Sequence, residues 1–330
     1  MSETYIIGTD LGGTTIKFGM LTEQGDLIEK WWIPTNLEDE GKKILPDIAA
    51  SIETKLQEKQ IERQQVKGVG LGIPGGVDEN GMVKGAVNLG WKEWDVAAEL
   101  EALLRLPVVC GNDANFAALG EQWKGAGDGA RNMVLLTLGT GVGGGVIIDG
   151  KIVNGAHGAG GEVGHICVNP WETEPCNCGL CGCLEQYASA TGLLRLAYRY
   201  CKKQESGTDL TGLTAKDIFD LVKSEEDSSM ESVLSRQAAE DIVEEYCEIL
   251  GRGMAMISAT IDPEVFVLGG GVSGAGETLL SRVEKYYKKY AFYLCRETKI
   301  RLAELGNDAG IYGAAAGIVN SNGKKEHVIL

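Results

Sequence analysis

Short apolar runs broken by polar turns open the chain. Tyr5–Gly8, Thr15–Leu21 and Leu27–Ile33 read as three strands, with Glu23-Gln24-Gly25-Asp26 as the turn before the third. Tight turns between them predict an antiparallel meander. The period then changes. Ile44, Ile48, Ile52 and Leu56 recur at i+4 within Glu38–Gln60, which predicts a helix with one buried stripe. Val66–Ile73 reads as a strand ended by Pro74-Gly75-Gly76. Trp94–Leu104 reads as a helix, Pro107–Cys110 as a short buried strand and Asp113–Trp123 as the next helix.

The pattern then restarts. Met133–Leu138 is an expected strand, Gly139–Gly145 a glycine turn, and Val146–Ile148 and Lys151–Val153 two more strands. Loops and cysteines fill Gly155–Cys183. Helices are expected over Leu184–Tyr200, over Ala215–Lys223 and from about Met230 to Ile261. Strand Val265–Leu268 enters Gly269-Gly270-Gly271. Helix Glu277–Leu294, strand Ile300–Leu302 and helix Gly310–Val319 follow, and the tail Ser321–Lys325 is polar. One plan thus occurs twice, antiparallel strands and then alternating helices and strands, with a hinge expected near residues 112–124. Two α/β lobes around a cleft are the architecture this pattern predicts.

Composition narrows the chemistry. The chain has 330 residues, enough to bury a large core without disulfides. Its net charge of −16 lacks the basic face that DNA or RNA requires. No basic start followed by an apolar run suggests a secretory signal, and the longest uncharged stretch, Asn132–Ile148, is short for a membrane span and rich in glycine. A cytosolic protein is expected, in which the nine cysteines are not bridges. Glycine numbers 47, about twice its usual share.

The glycine is concentrated in loops. Asp10-Leu11-Gly12-Gly13-Thr14-Thr15 lies between two expected strands. A glycine turn exposes successive backbone N–H groups that hold phosphate oxygens without a positive charge. Thr14 and Thr15 add hydroxyl donors, and Asp10 suits the Mg²⁺ that accompanies a nucleotide. A plain hairpin turn has the same appearance. Leu138-Gly139-Thr140-Gly141-Val142-Gly143-Gly144-Gly145 takes the equivalent place in the second half, and this symmetry favours two phosphate cradles. Gly139-x-Gly141-x-x-Gly144 and Gly70-x-Gly72-x-x-Gly75 fit the dinucleotide pattern, but neither leads into a helix, so neither is that site. Gly269, Gly270 and Gly271 suit close approach of a ligand ring, or a tight strand–helix turn.

His165, Cys176, Cys178 and Cys183 make a closed set of three thiolates and one imidazole, the mark of structural zinc, with a redox-active or fortuitous cysteine cluster as the alternative. Gly179 and Gly182 permit the turns between them, and Cys181 is left as a free thiol. A zinc deaminase requires H-x-E, which His165-Ile166-Cys167 is not. Glu162 and Glu185 flank these ligands, and carboxylates held this way suit hydrogen bonding to a polyol. Asp113, in Gly111-Asn112-Asp113-Ala114-Asn115, stands where a strand meets a helix. It reads either as an N-cap or as a general base for phosphoryl transfer to a hydroxyl.

Together these motifs resemble the ROK (repressor, open reading frame, kinase) family, most closely its bacterial glucokinases. The resemblance runs over essentially the whole chain. It rests on Asp10–Thr14, Gly111–Asn115, Leu138–Gly145, Gly160-Gly161-Glu162-Val163-Gly164-His165 and Cys176-x-Cys178-Gly179-x-x-Gly182-Cys183-x-Glu185. It implies a duplicated actin-like (ribonuclease H-like) fold, with a small lobe over 1–115 and a large lobe over 116–309. It implies a zinc loop over 155–185, and a closing helix that packs back on the small lobe.

The implied reaction is transfer of the ATP γ-phosphate to the 6-hydroxyl of glucose, with Mg²⁺-ATP as donor, one structural zinc and a homodimer. Asp113 matches the base. Asn112, Glu162, His165 and Glu185 match sugar contacts, beside Asn88, Gly75 and Gly76. His165 would serve both zinc and sugar. Asp10, Gly12, Gly13, Thr14, Thr15, Gly139, Thr140, Gly141, Gly143, Gly144, Gly269, Gly270 and Gly271 fall to the nucleotide. Many relatives place Lys directly after the first threonine, where this chain has Thr15; Lys17 shares a strand face with it and is expected to serve instead. Another hexose (N-acetylmannosamine, mannose or fructose) is the alternative acceptor. A sugar-responsive regulator is expected to carry a helix-turn-helix ahead of residue 10.

Overall fold

The computed structural model describes residues 4–78, 80–205, 208–224 and 234–321. It opens with β1 (Tyr5–Leu11), β2 (Thr15–Thr22) and β3 (Leu27–Pro34), where β2 pairs antiparallel with both neighbours as the meander predicts. A single turn α1 (Glu38–Gly41) precedes α2 (Ile44–Glu58) and β4 (Val66–Ile73). Then come the hairpin β5 (Gly76–Val77) and β6 (Val83–Gly85), α3 (Val96–Leu104), β7 (Val108–Asn112) and α4 (Asp113–Lys124). The second round has β8 (Met133–Leu138), β9 (Val142–Ile148), β10 (Lys151–Ile152), α5 (Glu185–Ala188), α6 (Ala190–Lys203) and α7 (Ala215–Lys223). It ends with α8 (Arg236–Ile261), β11 (Val265–Gly269), α9 (Glu277–Tyr290), β12 (Lys299–Leu302) and α10 (Ala309–Asn320).

The duplication predicted from the pattern is visible in the sheets. One has the order β3-β2-β1-β4-β7 and the other β10-β9-β8-β11-β12. In each, three consecutive strands lead into two later ones. The later strands run parallel: β1 with β4, β4 with β7, β8 with β11 and β11 with β12. Contacts divide the chain into two compact units, Met1–Arg131 with Gly145–Gly161 and Glu304–Leu330, and Asn132–Gly144 with Glu162–Ala303. All of α4 falls in the first unit, where α10 packs along it.

Strand alternation builds the first unit. Ile7 joins Ile44, Ile48, Ile52 and Leu100 on one face of the sheet, while the adjacent Ile6 joins Ile311 and Ile318 of α10 on the other. Each such side chain contributes about 1.5–3 kcal/mol when fully buried. The approach of α10 is close. A Cβ at Gly70 would overlap Ala314 O, and one at Gly313 would overlap Phe116 O. In the second unit α8 is capped by Ser235, whose hydroxyl accepts from Ala238 N, and α6, α7 and α9 pack against it. Among the described residues no helix is long and apolar enough to cross a membrane.

Several boundaries differ from expectation, each for a local reason. Asp39 and Glu40 have φ of 52° and 57°, so the helix expected from Glu38 is interrupted and α2 starts at Ile44. The helix expected over Leu184–Tyr200 breaks at Ser189, which caps α6 by accepting from Gly192 N. Asp95 caps α3, so that helix begins at Val96 rather than Trp94. Helix α9 stops at Tyr290 because Ala291 is extended. Strand β1 runs on to Leu11, past the expected end at Gly8, and carries Asp10 with it. The second glycine turn ends at Gly141: Gly143, Gly144 and Gly145 lie inside β9. The expected helix start at Met230–Val233 and the tail beyond Ser321 lie outside the described residues.

Candidate functional site

In the first unit the predicted site residues gather at the ends of β1, β4 and β7. The register sets Asp10 opposite Lys17, and Lys17 Nζ stands 3.7 Å from the Asp10 carboxylate. Burial holds Asp10 above the ordinary aspartate range, and Lys17 pulls it the other way. The turn proper is Gly12-Gly13-Thr14. Gly12 N donates to Thr15 O at 3.0 Å, while Thr35 donates its hydroxyl to Gly12 O at 2.7 Å and its N–H to Thr14 O at 3.0 Å. Thr35, absent from the expected set, thus ties the carbonyls back. A Cβ on Gly13 would meet nothing within 4 Å.

Asn112, not Asp113, is the N-cap of α4. Its Oδ1 accepts from Asn115 N at 3.1 Å, and its Nδ2 donates to Gly75 O at 3.0 Å. The capping alternative for Asp113 is therefore corrected: the cap is filled one residue earlier. Asp113 is the first helical residue, half-buried, with Oδ1 accepting from Ala114 N at 2.9 Å. A carboxylate suits this position, because the first turn carries the positive end of the helix dipole. Gly76 opens β5, and Asn88 is exposed on the short turn Val87–Leu89.

The second unit gathers the remaining residues. His165 ends a short helical turn that follows Glu162, and its Nε2 lies 3.8 Å from Glu162 Oε2. Its Nδ1 lies 4.0 Å from Cys176 Sγ, and Cys178 Sγ lies 3.6 Å from Cys183 Sγ. All four ligand atoms fall within 4.8 Å of one another. A tetrahedral site with Zn–S of about 2.3 Å sets sulfurs about 3.8 Å apart, so this donor set fits zinc. Gly179 and Gly182, with φ of 87° and 79°, make the two bends. Cys181 stays outside the set and is exposed.

The cysteine loop is fastened to α5 and α6. Gln186 Oε1 accepts from Gly182 N and Cys183 N at 2.7 and 3.1 Å. Glu172 is held by Arg195 at 3.0 Å, by Arg199 at 2.7 Å and by the Tyr187 hydroxyl. Glu185 begins α5. Its Oε2 accepts from Val142 N at 3.0 Å, and its Oε1 lies 3.4 Å from Cys176 Sγ. Gly139 and Gly141 form the turn beside it, with Thr140 exposed.

Gly269 is buried within β11, and Gly270 takes φ of 81° against the backbone of Leu138. Gly271 lines a cavity of about 360 Å³ with Gly274, Thr214, Lys216, Phe219 and Lys223. The four α7-side residues were not among those expected. Thr214 and Asp217 form a capping box that marks only where α7 starts.

Known proteins resemble the chain over its length. The model of the ROK family matches residues 6–320. The chain is 43% identical to a glucokinase of Halalkalibacterium halodurans, over 95% of this chain and 94% of that protein. Among solved structures it resembles a ROK family glucokinase from Streptomyces griseus in complex with glucose and AMPPNP, with TM-score 0.72, 32% identity and coverage of 94% and 98%. It also resembles a ROK hexokinase from Thermus thermophilus, with TM-score 0.75, 31% identity and coverage of 95% and 97%.

Proposed function

The chain belongs to the ROK family, and we propose that it is a glucokinase, transferring the γ-phosphate of ATP to the 6-hydroxyl of glucose. The observation that carries this reading is 43% identity to a glucokinase over 95% of the chain. The residue geometry supports it independently. In this reading Asp113 takes the proton as the 6-oxygen attacks the γ-phosphorus, and the bond to the bridging oxygen of ADP breaks. The cap of α4 is Asn112, so capping is not the role that Asp113 fills. Phosphoryl transfer asks the protein mainly for positioning and charge stabilisation, and two glycine turns with backbone donors suit it.

The sugar contacts in this reading are Asn112, Glu162, His165 and Glu185, with Asn88 and the Gly75-Gly76 turn. The nucleotide contacts are Thr14, Thr15 and Lys17 at the first turn and Gly139, Thr140 and Gly141 at the second. The base occupies the cavity between Gly271 and Phe219. Asp10 serves the Mg²⁺ that travels with ATP. His165, Cys176, Cys178 and Cys183 hold a zinc whose closed ligand set makes it structural, so it supplies rigidity and takes no step in the transfer. The homodimer and cytoplasmic location implied by the family belong to the same proposal; light scattering on the purified chain tests the first.

The deciding experiment compares kcat/KM with ATP for glucose, mannose, fructose and N-acetylmannosamine. Glucose is expected to be highest, with glucose 6-phosphate as product. A higher value for another hexose overturns the acceptor, and turnover of none of them overturns the kinase.

A further inference from the structure

One carboxylate of the second unit joins two segments to which the proposed function gives different substrates. Glu185 Oε2 accepts the Val142 N–H at 3.0 Å, and Val142 is the residue that closes the turn Gly139–Gly141. A side chain at position 141 would run into that same oxygen, so the contact depends on Gly141 being glycine. The turn has a second tether. Ala190 N donates to Gly139 O at 2.8 Å, just after α5 ends. The Ser189 hydroxyl donates to Glu185 O at 2.7 Å and closes α5 on itself. The glycine turn is therefore laced at one end to α5, through Glu185, and at the other to Ala190, the first residue of α6.

We propose that Glu185 is a positioning residue for the phosphate turn in addition to a sugar contact, so that sugar and nucleotide binding are coupled through one carboxylate. The inference rests on the roles given above to Glu185 and to the turn. A carboxylate offers about four acceptor positions, so the bond to Val142 N leaves room for sugar hydroxyls. Its bond to the amide is charge-assisted and about twice as strong as a neutral one. That bond fixes the peptide planes whose N–H groups meet the phosphates. A sugar that immobilises the carboxylate also immobilises the turn, which makes the coupling positive and, by linkage, reciprocal.

The test reads each ligand in the absence of the other, by calorimetry on the full zinc-loaded chain. Glu185→Ala is expected to weaken a non-hydrolysable ATP analogue about tenfold or more without sugar present, the loss of one charge-assisted hydrogen bond. Glu185→Gln is expected to restore nucleotide binding, since its amide oxygen can accept from Val142 N. Gly141→Ala is expected to weaken glucose severalfold without nucleotide, because the new methyl displaces Glu185. Unchanged nucleotide affinity in Glu185→Ala, or unchanged glucose affinity in Gly141→Ala, overturns the proposal. Should Glu185→Ala not fold, the Gly141→Ala arm decides alone. A wild-type chain that binds neither ligand is instead the failure of the underlying function.

Discussion

Leu305 donates its backbone N–H to Oε1 of Glu121 at 2.8 Å, across 184 positions of sequence within the first unit. Glu121 is wholly buried in α4, and its other oxygen takes Glu304 N at 3.1 Å and Ala126 N at 2.9 Å. The carboxylate thereby staples the approach to α10 onto α4. Glu121→Gln replaces one acceptor with an NH₂ that faces an N–H. A loss of about 1–3 kcal/mol is expected for one buried group left unpaired, and Glu121→Ala should cost more. Calorimetric melting of both variants checks this; a wild-type Tm for Glu121→Gln is the contrary result.

Glu172 makes the stability of the second unit depend on pH. Burial alone would raise its carboxyl, but Tyr187, Arg199 and Arg195 hold it down at about 2. A lowered carboxylate pKa stabilises the fold above the unfolded value, near 4.5, and that stability fades as pH falls towards 2. Glu172→Gln should therefore be less stable than wild type by a constant amount above about pH 5.5. The gap should shrink below pH 4.5. Urea unfolding of both proteins across this range measures the difference; a gap that widens in acid contradicts the assignment.

Much of the local structure was legible because periodicity reports which side of an element meets the core. The Ile44, Ile48, Ile52 and Leu56 stripe is buried as its spacing demands. The cluster of His165, Cys176, Cys178 and Cys183 was legible because four donors crowd one short segment. Partners remote in sequence were not legible. The glycine excess reads locally as phosphate loops, yet Gly70 and Gly313 admit α10 to within backbone contact of β4 and α4. Gly145 in β9 likewise leaves room for Ala118 of α4. Nothing local to those glycines names the backbone that approaches them. The α7 lining of the cavity was hidden for the same reason: Phe219 reads as one more apolar position of an amphipathic helix.

Gly70→Ala tests that reassignment of glycine. The added methyl would overlap Ala314 O, and backbone cannot rotate away as a side-chain tip can. Overpacking of this kind costs about 1–3 kcal/mol and occasionally more. The first unit should melt earlier while the zinc content of the second is unchanged. Equal melting temperatures would show that α10 can shift at little cost.

Cys178→Ser removes one of four ligand atoms that lie within 4.8 Å of one another. Elemental analysis is expected to find about one zinc per wild-type chain, as one four-ligand set implies, and little in the variant. Glucose binding should weaken as well, because His165 faces Glu162 and Cys176 faces Glu185 across the same centre. Calorimetry with glucose measures the second effect. Retained zinc with unchanged glucose affinity would separate the metal from the sugar site.

Asp113→Asn separates the proposed role of Asp113 as proton acceptor from its place in the scaffold. The cap of α4 belongs to Asn112, and an asparagine at 113 keeps an oxygen for Ala114 N, so the helix start survives. What changes is basicity: an amide cannot accept the proton of an attacking hydroxyl. General-base catalysis contributes about 10²–10⁴ in rate, and kcat should fall by that factor. Affinity for glucose and for a non-hydrolysable ATP analogue should stay within a few-fold of wild type. The two readouts together separate the roles, since a purely structural Asp113 would lower Tm and both affinities along with turnover. Near-normal kcat in a folded Asp113→Asn protein would move the base elsewhere in the chain.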